Sequence, residues 1–228
     1  MIKEYFASLN VRSLLRRLLL LVPTMALINF SIGCYYTCGL GTDPISVFID
    51  GQHVLLGWSY GQITSLNNVI LFAVMLWLGR KYMGLGTVAT VFLSGPLIDL
   101  FEGMLRAAFP AESSPLYVKI ILLCIGVFGF GIGLGFFVTE SLGIGPFDFL
   151  PLWLRDVTKI DLRWTRMLFD ALFLITGWLM GGIVGVGTAA GVLLTGPVMS
   201  FTLKRVGAPL ERFFGPLKKG PEQAAGQQ

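Results

Sequence analysis

The sequence predicts an all-α polytopic membrane protein, and three observations carry that expectation. Of its 228 residues, 54% are hydrophobic and 13% charged, about half the charged share of a soluble domain. The apolar residues fall in blocks long enough to cross a bilayer. One thirteen-residue stretch is also written twice: Gly84–Pro96 reads GLGTVATVFLSGP and Gly185–Pro197 reads GVGTAAGVLLTGP, with eight identical letters at an offset of 101. The chain therefore reads as about six transmembrane helices in two three-span repeats, inverted relative to one another, each with a short broken or re-entrant helix.

Residues 1–13 read as a cytoplasmic N-terminal lead, amphipathic at Tyr5, Phe6 and Leu9 and without a signal-peptide pattern. The first membrane repeat covers 14–109. Its first span is Leu14–Cys38, with Arg16 and Arg17 snorkelling at the base. Cys34 and Cys38 share a helix face there and read as core packing; three cysteines make no disulfide framework. Gly39–Pro44, GLGTDP, interrupts the helix, and Pro44 suits the first turn of the next one. Ile45–Leu56 is that short helix. Ser59 and Gln62 then have the spacing of a capping box, opening a span to Leu78. The duplicated block supplies the third span, about Thr87–Met104, and Phe109–Pro115 is a loop.

The second repeat covers 116–206. Tyr117–Thr139 holds Gly126, Gly129, Gly131, Gly133 and Gly135, whose spacings let another helix approach closely. Leu142–Leu150, LGIGPFDFL, mirrors Leu40–Phe48, LGTDPISVF, at an offset of 102. A short segment to Thr158, a span near Arg163–Met180 and the second copy of the block follow. Residues 207–228 read as a cytoplasmic polar tail.

Each short helix has about a dozen residues, or ~18 Å, too little to cross. Three crossings per half force the halves to be inverted. With the N-terminus inside, fifteen of the seventeen Lys and Arg residues fall on the inner side, Arg106 and Lys119 excepted. Eight crossings with parallel halves would give the same count. The length of the short helices, together with Asp50, His53, Pro151 and Arg155 within them, favours six.

The two breaks are the candidate site. A helix that starts inside a membrane presents unpaired N–H groups, tolerated only when buried in protein or facing a wet cavity. Gly41 with Asp43, and Gly143 and Gly145 with Asp148, would bring two such starts together near the midplane. Each acid is either a helix cap or the charge of a cation, proton or zwitterion site. Asp43, Ser46, Asp50 and His53 are spaced along one helical face, which lines a path or forms the wet side of an interfacial helix. Asn68 and Asp170 occupy matching positions within spans; Asp170 either serves the site or pairs with Arg166 one turn away. Asn29 carries the same alternatives.

No enzyme motif is present. A single histidine excludes an H-E-x-x-H metal pair, and there is neither a G-x-S-x-G elbow nor a Walker lysine. No metal, cofactor or nucleic acid is expected, and the net charge of +4 is a matter of topology.

The break at Gly39–Pro44, the second form at Gly143-Ile144-Gly145-Pro146-Phe147-Asp148, and the Gly-x-Gly-Thr blocks at Gly84–Thr87 and Gly185–Thr188 resemble the YczE/YyaS/YitT family, most of all its YczE-like branch. The resemblance covers roughly residues 15–205. It implies a multi-pass protein of the bacterial cytoplasmic (inner) membrane and carries over no catalytic residues; the Lys and Arg distribution is what places both termini on the cytoplasmic side. The family form places the acid after the proline, as at Asp148; Asp43 precedes Pro44 and departs from it. Two functions remain in view. One is a secondary transporter or exporter of a small solute or ion, with its site at the paired breaks. The other is a non-transporting subunit or accessory protein that packs against a membrane partner, or a second copy, through its glycine faces.

Overall fold

The computed structural model describes residues 11–110 and 114–215. Tyr5, Phe6 and Leu9 of the lead, part of the Phe109–Pro115 loop and the tail beyond 215 lie outside them. The described residues form helices and no strands. In order they are α1 (Val11–Cys38), α2 (Pro44–Leu56), α3 (Tyr60–Leu78), a 3-10 turn (Arg80–Tyr82), α4 (Leu85–Ala108), α5 (Leu116–Glu140), α6 (Pro146–Thr158), α7 (Leu162–Leu179), α8 (Val186–Thr202), a π turn (Leu203–Gly207) and α9 (Ala208–Phe214).

Five helical runs are long and apolar enough to cross a membrane: α1, α3, α4, α5 and Val186–Phe214. Rows of exposed Leu, Ile, Phe and Trp run along them, including Leu19, Trp77, Phe92 and Ile121. Lipid is the solvent that such surfaces require. The sixth expected span, α7, has eighteen residues but is not in that set; Arg163, Arg166 and Asp170 interrupt its apolar run. The short helices α2 and α6 have thirteen residues each.

The helices end where local chemistry stops them. Pro44 and Pro146 open α2 and α6, and Gly57 closes α2 in the left-handed region at φ 68°. The Ser59–Gln62 capping box forms. Asp99 of α4 reinforces it: its carboxylate accepts from the Ser59 hydroxyl at 2.6 Å and the Gly61 N–H at 2.7 Å. These are charge-assisted bonds at the positive end of a helix. Asp99→Ala is therefore expected to destabilise the fold by about 2 kcal/mol. Detergent-solubilised thermal unfolding is the check, and an unchanged midpoint would exclude the clamp.

α1 lies at the centre, against α4 and α5; α5 packs on α8, α2 on α7 and α3 on α4. Two polar seams tie the layers at opposite ends. At the end that holds Arg17, the Gly86 N–H donates to Leu142 O at 2.7 Å, and Thr87 Oγ1 to Ile144 O at 2.8 Å. At the end that holds Ser59, the Gly187 N–H donates to Leu40 O at 2.8 Å. Each duplicated block thus caps the break of the opposite half. The contact is backbone on backbone: a Cβ at Gly187 would lie 2.2 Å from Gly41 O, and one at Gly84 would lie 2.0 Å from Leu142 O.

The α3–α4 and α7–α8 pairs are packed differently. α3 and α4 are in close contact, with Gly95 directly against Ser65 and Gly61. α7 and α8 hardly touch, and Gly196, which holds the place of Gly95, meets nothing within 4 Å.

Two expectations are corrected at the Arg17 end. Arg17 does not snorkel; it is 5% exposed, and its guanidinium donates to Thr139 O, Glu140 O and Gly215 O. The carbonyls at the end of α5 need donors, and a long cation one helix away supplies them. Residues 208–214, read as the beginning of a polar tail, form α9 and fold back on α1. Phe214 is buried beneath the Arg17 guanidinium, 4.8 Å from its ring centroid. Arg16 stacks on Phe213 in the same way.

Candidate functional site

α2 and α6 both begin inside the bundle, and their first residues border one cavity. It has a volume of about 120 Å³, and its walls include Asp43, Ser46, Asn68, Gly145 and Asp148. A second cavity of about 440 Å³ runs toward Lys81, Tyr82 and Ser141 at the Arg17 end. A third, of about 810 Å³, fills the space between α7 and α8. All three share Leu134 and Asp148 as walls.

Five of the eight candidate residues thus meet in one place. Gly143 borders the second cavity and Asp170 the third. Gly41 sits in the seam against Gly185 and Thr188, where its φ of +97° and the tight backbone approach both require glycine.

The two helix starts differ chemically. Asp43 caps α2: its Oδ2 accepts the Ser46 N–H at 3.4 Å. The cap uses one oxygen, and Oδ1 is buried without a hydrogen bond. Gly145 begins α6 with no side-chain cap. Asp148, in the first turn of α6, faces Arg166 of α7 at 3.4 Å, and Arg166 also lies 3.9 Å from Asp170. The Asp170–Arg166 pair follows from their spacing. The Asp148–Arg166 link joins two elements and is invisible in either alone.

The stripe on α2 is not the wet side of an interfacial helix. Asp50 is buried, accepting from the Tyr60 hydroxyl at 2.9 Å and the Ile183 N–H at 2.7 Å. His53 stacks on Tyr60 at 4.2 Å between centroids, and Tyr60 stacks on Tyr36 at 3.8 Å. These three rings lie between the inner cavity and the Ser59 end. Tyr36 is a wall residue absent from the sequence candidates. Its spacing from Asn29 and Ile32 on α1 places all three on one helical stripe, which was the available signal. Asn29 is 0% exposed and borders the cavity; its Nδ2 donates to Met25 O at 2.7 Å, and its Oδ1 has no partner. Thr195, a wall of the third cavity, brings its hydroxyl to that of Tyr35, yet neither completes a hydrogen bond of good geometry. No cluster of three or more His, Cys, Asp or Glu with metal-binding geometry occurs among the described residues.

The mouth of the second cavity is pinned by Asp156 near the end of α6, which bonds Lys81, the Tyr82 hydroxyl and Arg155. Lys81, then Tyr82 and Arg155, hold its carboxyl below the ordinary range. A depressed acid stabilises the fold above its ordinary pKa of about 4, and the contribution disappears as pH falls through the lower folded value. The unfolding midpoint of Asp156→Asn should therefore lie below wild type at neutral pH and converge on it in acid. A gap that persists unchanged into strong acid would exclude the pin.

The residue pattern of DUF6198, described as a family of unknown function, matches residues 15–204. The chain belongs to that family. Among relatives of this DUF6198 chain, the uncharacterized membrane protein YczE of Bacillus subtilis strain 168 is 29% identical over 164 residues, 72% of this chain and 74% of YczE. The uncharacterized protein YyaS of the same organism is 30% identical over 173 residues, 76% of this chain and 85% of YyaS. An uncharacterized protein of Haemophilus influenzae is 28% identical over 186 residues, 81% of this chain and 82% of its own length. No solved structure matches. The DUF6198 chain is a membrane protein whose apolar helices call for a bilayer.

Proposed function

We propose that this protein is a secondary transporter or exporter of a small solute in a bacterial inner membrane. It would have six crossings, inverted halves and cytoplasmic termini, with the solute held between the starts of α2 and α6. The observation that carries the reading is that both breaks, far apart in sequence, line one buried cavity with Asp43 and Asp148 on its walls. Binding sites between two half-helix starts at the repeat interface are a transporter device.

The difference between the halves supports it as well. Tyr36 and Tyr60 stack over the inner cavity on one side. Their counterparts at the offset of 102, Val138 and Leu162, instead line the second cavity. The corresponding positions are thus packed differently, the kind of asymmetry that alternating access through inverted repeats uses.

A solute-free experiment tests this. Ser46→Cys in a Cys124→Ala background is exposed to a membrane-impermeant thiol reagent in right-side-out and inverted vesicles. A transporter is labelled from both faces; labelling from one face only, at all times, excludes alternation. In proteoliposomes screened with small amines and amino acids, Asp43→Asn and Asp148→Asn should each lower flux at least tenfold. That is the scale for losing a charged interaction.

A further inference from the structure

The inner cavity has two carboxylates on its walls, Asp43 and Asp148, and no lysine, arginine or histidine. Asp148 is balanced by Arg166, which stands outside that cavity at 3.4 Å. Asp43 has no ion-pair partner among the described residues. It is 6% exposed, and its Oδ1 is unmet. The Ser46 hydroxyl stands beside both this carboxylate and the Tyr36 hydroxyl.

Asn29, on the same cavity, leaves a second unmet oxygen. Its amide orientation is fixed by chemistry, since only the NH2 group can donate to Met25 O. Both of these oxygens are therefore acceptors, and the third unmet atom on this wall, the Tyr36 hydroxyl, can accept as well as donate. Buried acceptors without donors are costly, so their natural complement is a guest that brings donors. Water brings donors but no charge, and Arg166, whose field reaches Asp43 from the third cavity, is already paired with Asp148 and Asp170.

Most of the rest of the wall is apolar, with five isoleucines and three phenylalanines, interrupted by uncharged polar groups such as Ser46, Asn68 and Ser94. A cavity of about 120 Å³ is slightly smaller than one that takes a benzene-sized guest, so a guest held wholly within it has about half a dozen non-hydrogen atoms. A carboxylate guest would face Asp43 and Asp148. A bare metal ion would find no cluster of acidic, thiol or imidazole ligands and would leave the apolar wall without a partner.

We propose that this cavity binds a small primary ammonium with an apolar body, its NH3+ on Asp43 Oδ1 and its hydrocarbon against the isoleucine and phenylalanine wall. The assignment names the solute class for the transport reading and rests on that reading for the route in and out.

Calorimetry on the full chain in nanodiscs tests it with four probes: isobutylamine, isovalerate, L-valine and sodium or potassium chloride. Isobutylamine is expected to bind, L-valine more weakly because its carboxylate meets Asp148, and isovalerate and the salts not at all. Asp43→Asn keeps a good N-cap for α2 and should weaken isobutylamine at least tenfold, one charged hydrogen bond. Ile45→Phe leaves Asp43 in place, fills the cavity and should abolish binding, with the unfolding midpoint held at wild type or above. The assignment is overturned if isobutylamine fails to bind at millimolar concentration, or if isovalerate or an alkali cation binds as tightly. It is also overturned if either variant binds like wild type. Flux of isovalerate without binding of isobutylamine would overturn it and leave the transport reading standing. Binding of isobutylamine without flux would overturn transport and leave the ammonium assignment standing.

Discussion

Gly187→Ala is expected to destabilise the protein by about 3 kcal/mol, whereas Gly196→Ala, nine residues along the same helix, is expected to stabilise it by about 0.5–1 kcal/mol. The substitution is the same and only the surroundings differ. A Cβ at Gly187 falls 2.2 Å from Gly41 O and 2.9 Å from Leu123 Cδ1. The obstacle is backbone, held by the Gly187 N–H to Leu40 O bond. It yields only if that seam opens, and overpacking of this kind costs ~1–3 kcal/mol or more. At Gly196 the added methyl meets nothing within 4 Å, so the ordinary helix preference for alanine remains. Thermal unfolding in detergent, followed by tryptophan fluorescence, measures both. Equal shifts would mean that the seam at Leu40–Gly41 is not formed. Gly196→Ala carries a further expectation under the transport reading. If α7 closes on α8 in the other state, as α3 already closes on α4, a methyl at 196 obstructs that closure, giving a stabler and slower protein.

Arg17→Met should destabilise by a similar amount, about 3 kcal/mol, and should release α9. The long apolar replacement retains the stem and removes the charge. Lost with it are donors to Thr139 O, Glu140 O at 2.7 Å and Gly215 O at 3.1 Å, together with the stack on Phe214. Hydrogen bonds to a charged group contribute ~1.5–3 kcal/mol each, and three share one guanidinium, so the sum is less than additive. Glu140, 0% exposed and bonded to Thr24 Oγ1, would lose the field of a nearby cation. The check is unfolding combined with limited proteolysis at residues 208–215. Arg17→Lys should recover part of the stability. A variant with wild-type stability and protected α9 would exclude the role.

The parts of the fold written in neighbouring residues were legible in the sequence. Pro44, Pro146, Gly57 and the Ser59–Gln62 box fix helix ends by chemistry that acts within four residues, and those ends lie where the pattern places them. The pairing of Asp43 with Asp148 across one cavity followed from treating the two breaks as counterparts. What stayed hidden depends on partners far along the chain. Arg17 reads as an interfacial arginine until the end of α5, more than 120 residues away, is seen to need its donors. Phe213 and Phe214 look like part of a polar tail until Arg16 and Arg17 stack on them. The stack of Tyr36 on Tyr60 joins α1 to α3, and neither stretch alone announces it. The separation of α7 from α8 has no counterpart in the letters: Gly95 and Gly196 are the same residue in the same motif, with different neighbours.

The crossed seams have a consequence for synthesis. Leu40 and Gly41 emerge early, but the groups that satisfy them, at Gly185–Thr188, emerge about 145 residues later. A half-helix start without its partner cannot rest against lipid. The first half must therefore wait at the membrane surface or in the insertion machinery until the second is nearly complete. The reverse seam, Gly84–Thr87 with Leu142–Ile144, closes earlier. Chains arrested once α6 and α7 have left the ribosome but before α8 has should leave α2 open to protease while α6 is already seated, and protection of α2 should appear only once α8 has been made. Two halves produced as separate chains should each be degraded alone and rescued together.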